Sequence, residues 1–460
     1  MPALRPGEGC DSFAIGGDGS ARRPRIGCCA VTQQQPGDLT PVVPEERIVV
    51  LDVLRGFALL GIAVMNMGGF NTPTGLWARD SLYFPGTADR AMDFFTGVFF
   101  AGKANSIFSF LFALGFTIQM QRAAAKGQTF VSSYLRRLAI LFFMGAVHGI
   151  LIWNGDVLHM YAVLGLVLLA MRNVSDRVVW VVLILSVVGG QIRNLIFTIR
   201  NEPFIHPLSY WRDLSYEHMR IFSEGTYLEQ VKARLFLYQD DYSAERLARV
   251  IGPIWGYASF LTTMLLGFYV GRKRWLENVG AHIQNVRKMF WVCLGLGLSV
   301  SIACFLLVTF RPVPPPQGPT VRGFITGFLF TLNRPLLCVA YISAFSLLFQ
   351  KESSKRFLTV LAVPGRMPLT NYLMQSIMAT TLFYSYGFGL FGKVGPFVGF
   401  WISVAMFAIE VVWSHYWLAR FRFGPLEWLW RAATYGKFPR MTLDKPEAAV
   451  PSIEQAPETH

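Results

Sequence analysis

The chain has 460 residues, of which 53% are hydrophobic and only 15% charged. Its apolar residues fall in runs of about 20, the length that crosses a hydrocarbon core, which predicts an all-α polytopic membrane protein with the lipid bilayer as its solvent and partner. A formal charge of +14 would point to nucleic acid in a soluble domain. Here the lysines and arginines stand at the ends of apolar runs, as topology determinants do, and no nucleic-acid partner is expected.

Residues 1–44 are rich in Gly, Pro, Gln and Arg without periodicity and are expected to form a disordered tail. They hold no apolar h-region of a cleavable secretory signal. The membrane domain is expected over 45–440, followed by a second disordered tail over 441–460. Cys293, Cys304 and Cys338 lie inside apolar runs, whereas Cys10, Cys28 and Cys29 lie in the first tail, so no disulfide framework or metal site is expected. Windows of about 20 residues place about ten transmembrane helices, near 48–68, 92–119, 136–153, 157–172, 177–199, 248–271, 288–310, 322–349, 367–389 and 396–419. Basic residues alternate between the connections: Arg122 to Arg137, Arg172 with Arg177, Arg272 to Lys288, Lys351 to Arg366 and Arg420 to Lys437 share one side, while the opposite short connections carry few. By the positive-inside rule both termini are cytoplasmic.

The first span, from RIVVLDVLRGFALLGIAVMN, carries Asp52 and Arg55 three residues apart on one helix face, where they partly neutralise each other. Asn66 closes that span. The second, DFFTGVFFAGKANSIFSFLFALGF, holds Lys103 too deep to snorkel easily, so an anion or a carboxylate partner is expected. Asn105, Ser106 and Ser109 read as interhelical packing glue.

The third and fourth spans, GAVHGILIWNGDVLHMYAVLGL, form the strongest polar constellation. A hairpin this short makes its helices antiparallel neighbours and brings His148, Asp156 and His159 within reach of one another. Either Asp156 caps the fourth helix, or it orients and activates an imidazole for general-base work. His148, lying within the membrane, is the functional candidate, and His159 is the more interfacial of the two.

The 200–247 segment mixes acids, bases and aromatics, as in YWRDLSYEHMR, and is expected to form extracytoplasmic amphipathic helices, as a structural cap or as a lid. PVPPPQGP (312–319) reads as a stiff outward loop. Arg334 stands midway along the eighth span and needs compensation, with Glu410 of the tenth span as the expected partner, unless it awaits a phosphate or carboxylate. GRMPLTNYLMQS (365–376) sets Arg366 and Asn371 at a helix start whose amides would suit a phosphate, or else forms an ordinary basic anchor. FRFGPLEWLWRAATYG (421–436) reads as an amphipathic helix at the inner headgroup level. No phosphate-loop GxxxxGK[ST], HExxH or CxxC pair occurs in the membrane domain, which disfavours ATP-driven transport and zinc hydrolysis.

LDVLRGFALLGI together with FRFGPLEWLWRAATYG resembles the YeiB-like family of bacterial membrane proteins, a domain of unknown function, over roughly residues 45–440. The LDxLRG opening is also similar to that of membrane acyltransferases that modify cell-envelope sugars. That resemblance implies a protein of the bacterial inner membrane that takes an acyl group from cytoplasmic acyl-CoA, a co-substrate rather than a resident cofactor, to an extracytoplasmic acceptor. Arg55, Arg334 and Arg366 would hold the coenzyme diphosphate, with Asp52, Asn371 and Glu410 completing the binding set. His148, oriented by Asp156, would deprotonate the acceptor, and Lys103 or Asn66 would stabilise the oxyanion. The chain departs from the envelope-sugar enzymes at Asn66, where they carry histidine, and from the YeiB-like pattern at Glu410, where glutamine is usual. Two other readings stay open: a proton-coupled permease using Asp52, His148 and Glu410, and a non-catalytic membrane partner. No residue pattern fixes an oligomeric state.

Overall fold

The computed structural model describes residues 48–73, 84–127, 129–200, 208–241, 257–276, 279–310 and 320–443. Both expected tails, apart from residues up to 443, lie outside these, as do the 312–319 loop, the opening of the sixth expected span and parts of the 200–247 segment. In chain order the helices are α1 (Val49–Asn71), α2 (Thr87–Phe99), α3 (Lys103–Ala125), α4 (Phe130–Leu151), α5 (Leu158–Ala170), α6 (Asp176–Arg200), α7 (Leu208–Glu224), α8 (Tyr227–Asp241), α9 (Ala258–Arg272), α10 (Ile283–Thr309), α11 (Val321–Leu348), α12 (Glu352–Gly365), α13 (Pro368–Phe383), α14 (Pro396–Leu418) and α15 (Pro425–Tyr435). Among the described residues the only β contact is a lone bridge between Phe421 and Thr442. Proline opens α13, α14 and α15, where its missing N–H costs no helical bond.

Six helical stretches among the described residues are long and apolar enough to cross a membrane: Val49–Asn71, Thr87–Ala125, Phe130–Leu151, Gly280–Thr309, Val321–Leu348 and Pro396–Leu418, with Leu158–Ala170 apolar but shorter. Large apolar side chains cover the outside of the bundle, among them Phe143 on α4, Leu185 on α6, Trp291 on α10 and Val412 on α14. A soluble protein would bury such residues, whereas hydrocarbon solvates them. The chain is an integral membrane protein.

Helix α1 is the hub, packing against α3, α11, α12, α13 and α14. The second expected span is not one helix. It breaks at Phe100–Gly102, where Gly102 takes φ +77°, a left-handed conformation that glycine adopts without a Cβ penalty. The amphipathic helix α12, absent from the sequence expectation, fills the turn between α11 and α13.

The contacts sort the connections into two ends. At one, Gly365 lies against the backbone of Asp52, Gln121 at the end of α3 donates to the Gly271 carbonyl of α9 (3.3 Å), Lys273 pairs with Asp176 (2.7 Å), and Trp430 of α15 donates to the Arg137 carbonyl (3.1 Å). At the other, the Asn71 amide donates to the Val394 carbonyl and the Phe397 amide donates to Asp89 (3.0 Å). There α7 and α8 lie over the helix ends. The buried Arg234 donates to the Ile150 and Leu151 carbonyls (2.9 and 3.1 Å), filling acceptors that the end of α4 leaves open, and Gln230 donates to Ser385 (2.8 Å).

Candidate functional site

Among the described residues, four polar clusters inside the bundle hold the candidate side chains. In the first, α4 ends one turn beyond His148, whose carbonyl accepts from the amides of Ile152 and Trp153 (2.9 Å each) and closes the turn towards α5. This brings Asp156 back onto the helix it has just left. Its Oδ1 meets His148 Nδ1 at 2.8 Å. Its Oδ2 meets His159 Nδ1 at 2.8 Å and accepts the His159 backbone N–H at 3.1 Å. Capping and imidazole orientation are therefore two duties of one carboxylate, and His159 shares it fully. The approach requires Gly145, because a Cβ there would overlap the His159 nitrogen and crowd Asp156 Oδ2.

His148 is fully buried, and its Nε2 has no hydrogen-bond partner among the described residues. The Tyr372 ring stands 5.3 Å away, centroid to centroid. A neutral imidazole whose Nδ1–H is anchored to a carboxylate presents a lone pair at Nε2, the arrangement a general base needs. His159 Nε2 lies 3.5 Å from the Tyr257 hydroxyl.

The second cluster surrounds the α2–α3 break. Lys103 Nζ donates to the Gly97 carbonyl (2.9 Å) and to Ser301 Oγ (3.2 Å), which also accepts from Asn333 (3.3 Å). Arg334 Nη1 donates to Ser259 Oγ at 2.5 Å, and its guanidinium lies over the Phe330 ring at 4.3 Å. Among the described residues its Nε has no partner, and its side chain runs against Gly102, next in sequence to Lys103.

Glu410 forms the third cluster, fully buried, with Oε2 accepting from Gln375 (2.9 Å) and Oε1 without a partner among the described residues. The expected Arg334–Glu410 ion pair is not formed, and among the described residues no carboxylate pairs with Arg334. α9 stands beside Arg334, and its Ser259 takes the guanidinium instead. Nor does Arg334 join Arg55 and Arg366. Arg55 pairs with Asp52 (2.6 Å) in the opening turns of α1, whereas Arg334 meets Gly102, whose amide points to the Met65 sulfur (3.2 Å) far along that helix.

The fourth cluster corrects the reading of the α13 start as a phosphate cradle. The amides of Leu369 and Thr370 and the Thr370 hydroxyl donate to the buried Glu427 carboxylate of α15, at 2.6, 3.1 and 2.5 Å. The anion on this helix terminus is the protein's own. Burial pushes the Glu427 carboxyl above its ordinary value, and the Thr370 and backbone donors pull against that. Asn371 donates to the Pro364 carbonyl (3.1 Å) and Ser414 (2.9 Å), tying α13 to α12 and α14. Arg366 ends α12 beside this junction. Asn66 is half-buried next to Met65.

Sequence reasoning brought out His148, Asp156 and Lys103, and Gly145 as a helix-packing glycine, but passed over Tyr257, Ser259, Ser301 and Glu427. Glu427 alone carried a signal, as a single acid among the tryptophans of PLEWLWRA. The others are ordinary small or aromatic residues until the helices are packed. His148 and Asp156 are brought together. Lys103 makes its contacts with α10 and the end of α2 rather than with that pair.

The fold and site define a polytopic helical membrane protein with a buried His–Asp–His hairpin and a pair of membrane-embedded cations. The profile of the family described as "Protein of unknown function (DUF418)" matches residues 270–437. The chain is 31% identical over 408 residues to the uncharacterized protein YxaH of Bacillus subtilis (strain 168), covering 86% of this chain and 96% of that one. It is 30% identical over 412 residues to an uncharacterized 39.9 kDa protein in the amylase 3′ region of Bacillus acidopullulyticus, covering 87% and 98%. With YeiB of Escherichia coli (strain K12), also uncharacterized, it shares 26% over 403 residues, 85% of this chain and 96% of that one. The chain belongs to this DUF418, YeiB-like family.

Proposed function

We propose that the protein is a transmembrane acyltransferase of the bacterial inner membrane, moving an acyl group from cytoplasmic acyl-CoA to a hydroxyl or amine of an extracytoplasmic acceptor. The observation that carries this reading is His148, with Nδ1 held by Asp156 and a buried, unpartnered Nε2. In the reaction Nε2 takes the acceptor proton as the acceptor oxygen or nitrogen attacks the thioester carbonyl. The C–S bond then breaks, the acyl group stays on the acceptor, and the coenzyme thiolate leaves to be reprotonated. Asp156 stabilises the imidazolium formed on the way.

About ten crossings with both termini cytoplasmic suit this direction of transfer. The end where α1 opens gathers Arg55, Arg137, Arg366 and Arg431, and Arg55 and Arg431 lie within electrostatic reach of Arg137. These arginines are the proposed diphosphate contacts. Asn66, half-buried towards the far end of α1, is the proposed acceptor or oxyanion contact.

Acetyl-CoA binding to the purified protein tests the reading, and charge-removing variants of Arg55 and Arg366 should weaken it. Absence of saturable binding contradicts acyl transfer. Reporter fusions test the orientation: one in 273–286 should report cytoplasmic and one in 205–240 external, and both on one side refutes it. The permease reading rests on a different observation, the buried Glu410 with no cation beside it, and it requires proton flux through proteoliposomes without any acyl donor.

A further inference from the structure

Lys103, buried, and Arg334, half-buried with its Nε enclosed, are two cations within membrane-spanning helices with no carboxylate partner among the described residues. Lys103 is almost wholly enclosed, at 1% exposure. Its ammonium reaches only a carbonyl and the Ser301 hydroxyl, and that hydroxyl spends its own hydrogen on the Val98 carbonyl (2.8 Å). Arg334 has one serine oxygen and two aromatic faces, those of Phe330 and Phe260, and leaves Nε unpaired. The two feel each other's charge, which is repulsive. Burying one unpaired charge is costly and burying two of the same sign more so, unless a counter-ion arrives.

The backbone points the same way. The break at Gly102 starts α3 inside the membrane, with no side chain capping its first turn. The Gly102 N–H has only the Met65 sulfur as acceptor, a weak one. A helix N-terminus carries partial positive charge, and broken membrane helices turn such termini towards anionic groups. Six helices converge here: α1 with Met65, α2 with Gly97 and Val98, α3 with Lys103, α9 with Ser259, α10 with Ser301, and α11 with Asn333 and Arg334.

We propose that the α2–α3 break is an anion site for a phosphate group, held by Lys103, Arg334 and the amide end of α3. A phosphate monoester dianion neutralises both cations, which a carboxylate does not, and the planar guanidinium suits its oxygens. The site shares no residue with the Asp156 cluster and stands or falls independently of acyl transfer.

The test uses full-length protein in a neutral maltoside detergent with two probes, inorganic phosphate and dodecyl phosphate, against chloride and dodecanol controls at equal ionic strength. Thermal unfolding and a tryptophan-fluorescence isotherm are read. A phosphate probe should raise the melting temperature saturably, and K103M or R334Q should weaken its binding by about tenfold or more, in line with loss of a charge-assisted bond. R334K, which keeps the charge but loses the fork, should weaken it by roughly threefold, a readout that survives if a neutral variant does not fold. Without phosphate, the neutral variants should melt no lower than the parent, because they remove unpaired buried charge. Binding of dodecyl phosphate alone identifies a lipid headgroup as the source, and binding of both shows that free phosphate suffices. H148A should bind phosphate as the parent does, which separates this test from that of catalysis. No response to either probe, or an unchanged isotherm in K103M, R334Q and R334K alike, overturns the proposal.

Discussion

Replacing Asp156 with asparagine separates the chemical duty of this carboxylate from its structural one. Oδ2 serves two donors, the His159 backbone N–H at 3.1 Å and His159 Nδ1 at 2.8 Å, while Oδ1 serves His148 Nδ1 alone, at 2.8 Å. Asparagine has one acceptor oxygen and one NH2 group. The oxygen stays where Oδ2 was, because the backbone donor cannot change its chemistry, and the NH2 faces His148. His148 answers by switching tautomer: Nδ1 becomes an acceptor and Nε2 takes the proton, which ends its use as a base. Both imidazoles and the His159 backbone N–H keep a partner, so the cost is chiefly that of exchanging charge-assisted bonds for neutral ones, about 1–2 kcal/mol, with the second amide N–H of the asparagine added to it. Asp156→Ala instead strands three donors and costs about 1–3 kcal/mol for each that stays buried. The asparagine variant should therefore melt close to the parent in detergent and the alanine variant well below it. In the asparagine variant transfer should fall by about 10²–10⁴-fold, the span of general-base contributions, and the ¹⁵N shifts of His148 should report the switched tautomer. Parental transfer in Asp156→Asn, an unchanged His148 tautomer, or equal melting of the two variants refutes the reasoning.

Gly145→Ala should cost about 1–3 kcal/mol by overpacking and should perturb the ¹⁵N shifts of both imidazoles, since its Cβ meets the His159 nitrogen and Asp156. Unperturbed shifts would show that the hairpin does not depend on this approach. Glu427→Gln should keep α15 docked on α13, and Glu427→Ala should release it, as read by hydrogen exchange at Leu369 and Thr370. Because burial holds the Glu427 carboxyl above its ordinary value, the folded state keeps this proton more tightly than the unfolded one. Docking should weaken as pH rises from the ordinary glutamate range through the raised value, and the glutamine variant should lose that dependence. The same pH profile in parent and variant would assign it to another group. Glu410→Gln should be at least as heat-stable as the parent, because a second amide can donate to the unpartnered Gln375 Oε1 while still accepting from Gln375 Nε2, whereas Glu410→Leu should melt lower. Equal loss in both variants would show that the charge of Glu410 is required.

The membrane class and the His–Asp hairpin were legible because each is written locally. Apolar runs set the spans, and six residues of turn force α4 and α5 together. The partners of Arg334 and Glu410 were not legible. Sequence shows that two buried charges need compensation but not which helices are neighbours, and each found a neutral partner on the helix beside it, Ser259 or Gln375. The helix break at Gly102 was hidden for a related reason, since apolar composition runs unchanged through Phe99 to Ala101 and a single glycine inside a span reads equally well as a packing site. The Glu427 cap joins residues 57 and 58 apart in sequence, a pairing that no local pattern announces.

The central claim, that His148 is the base of an acyl-transfer reaction, is tested most directly by single-turnover acyl transfer in proteoliposomes. Acetyl-CoA labelled in the acetyl group is supplied on the cytoplasmic face and envelope extract on the other, and His148→Ala is compared with the parent. The account predicts acetyl-CoA binding equal to the parent's, with labelled acceptor and released coenzyme thiol reduced by about 10²-fold or more. Transfer at the parental rate in His148→Ala would contradict it.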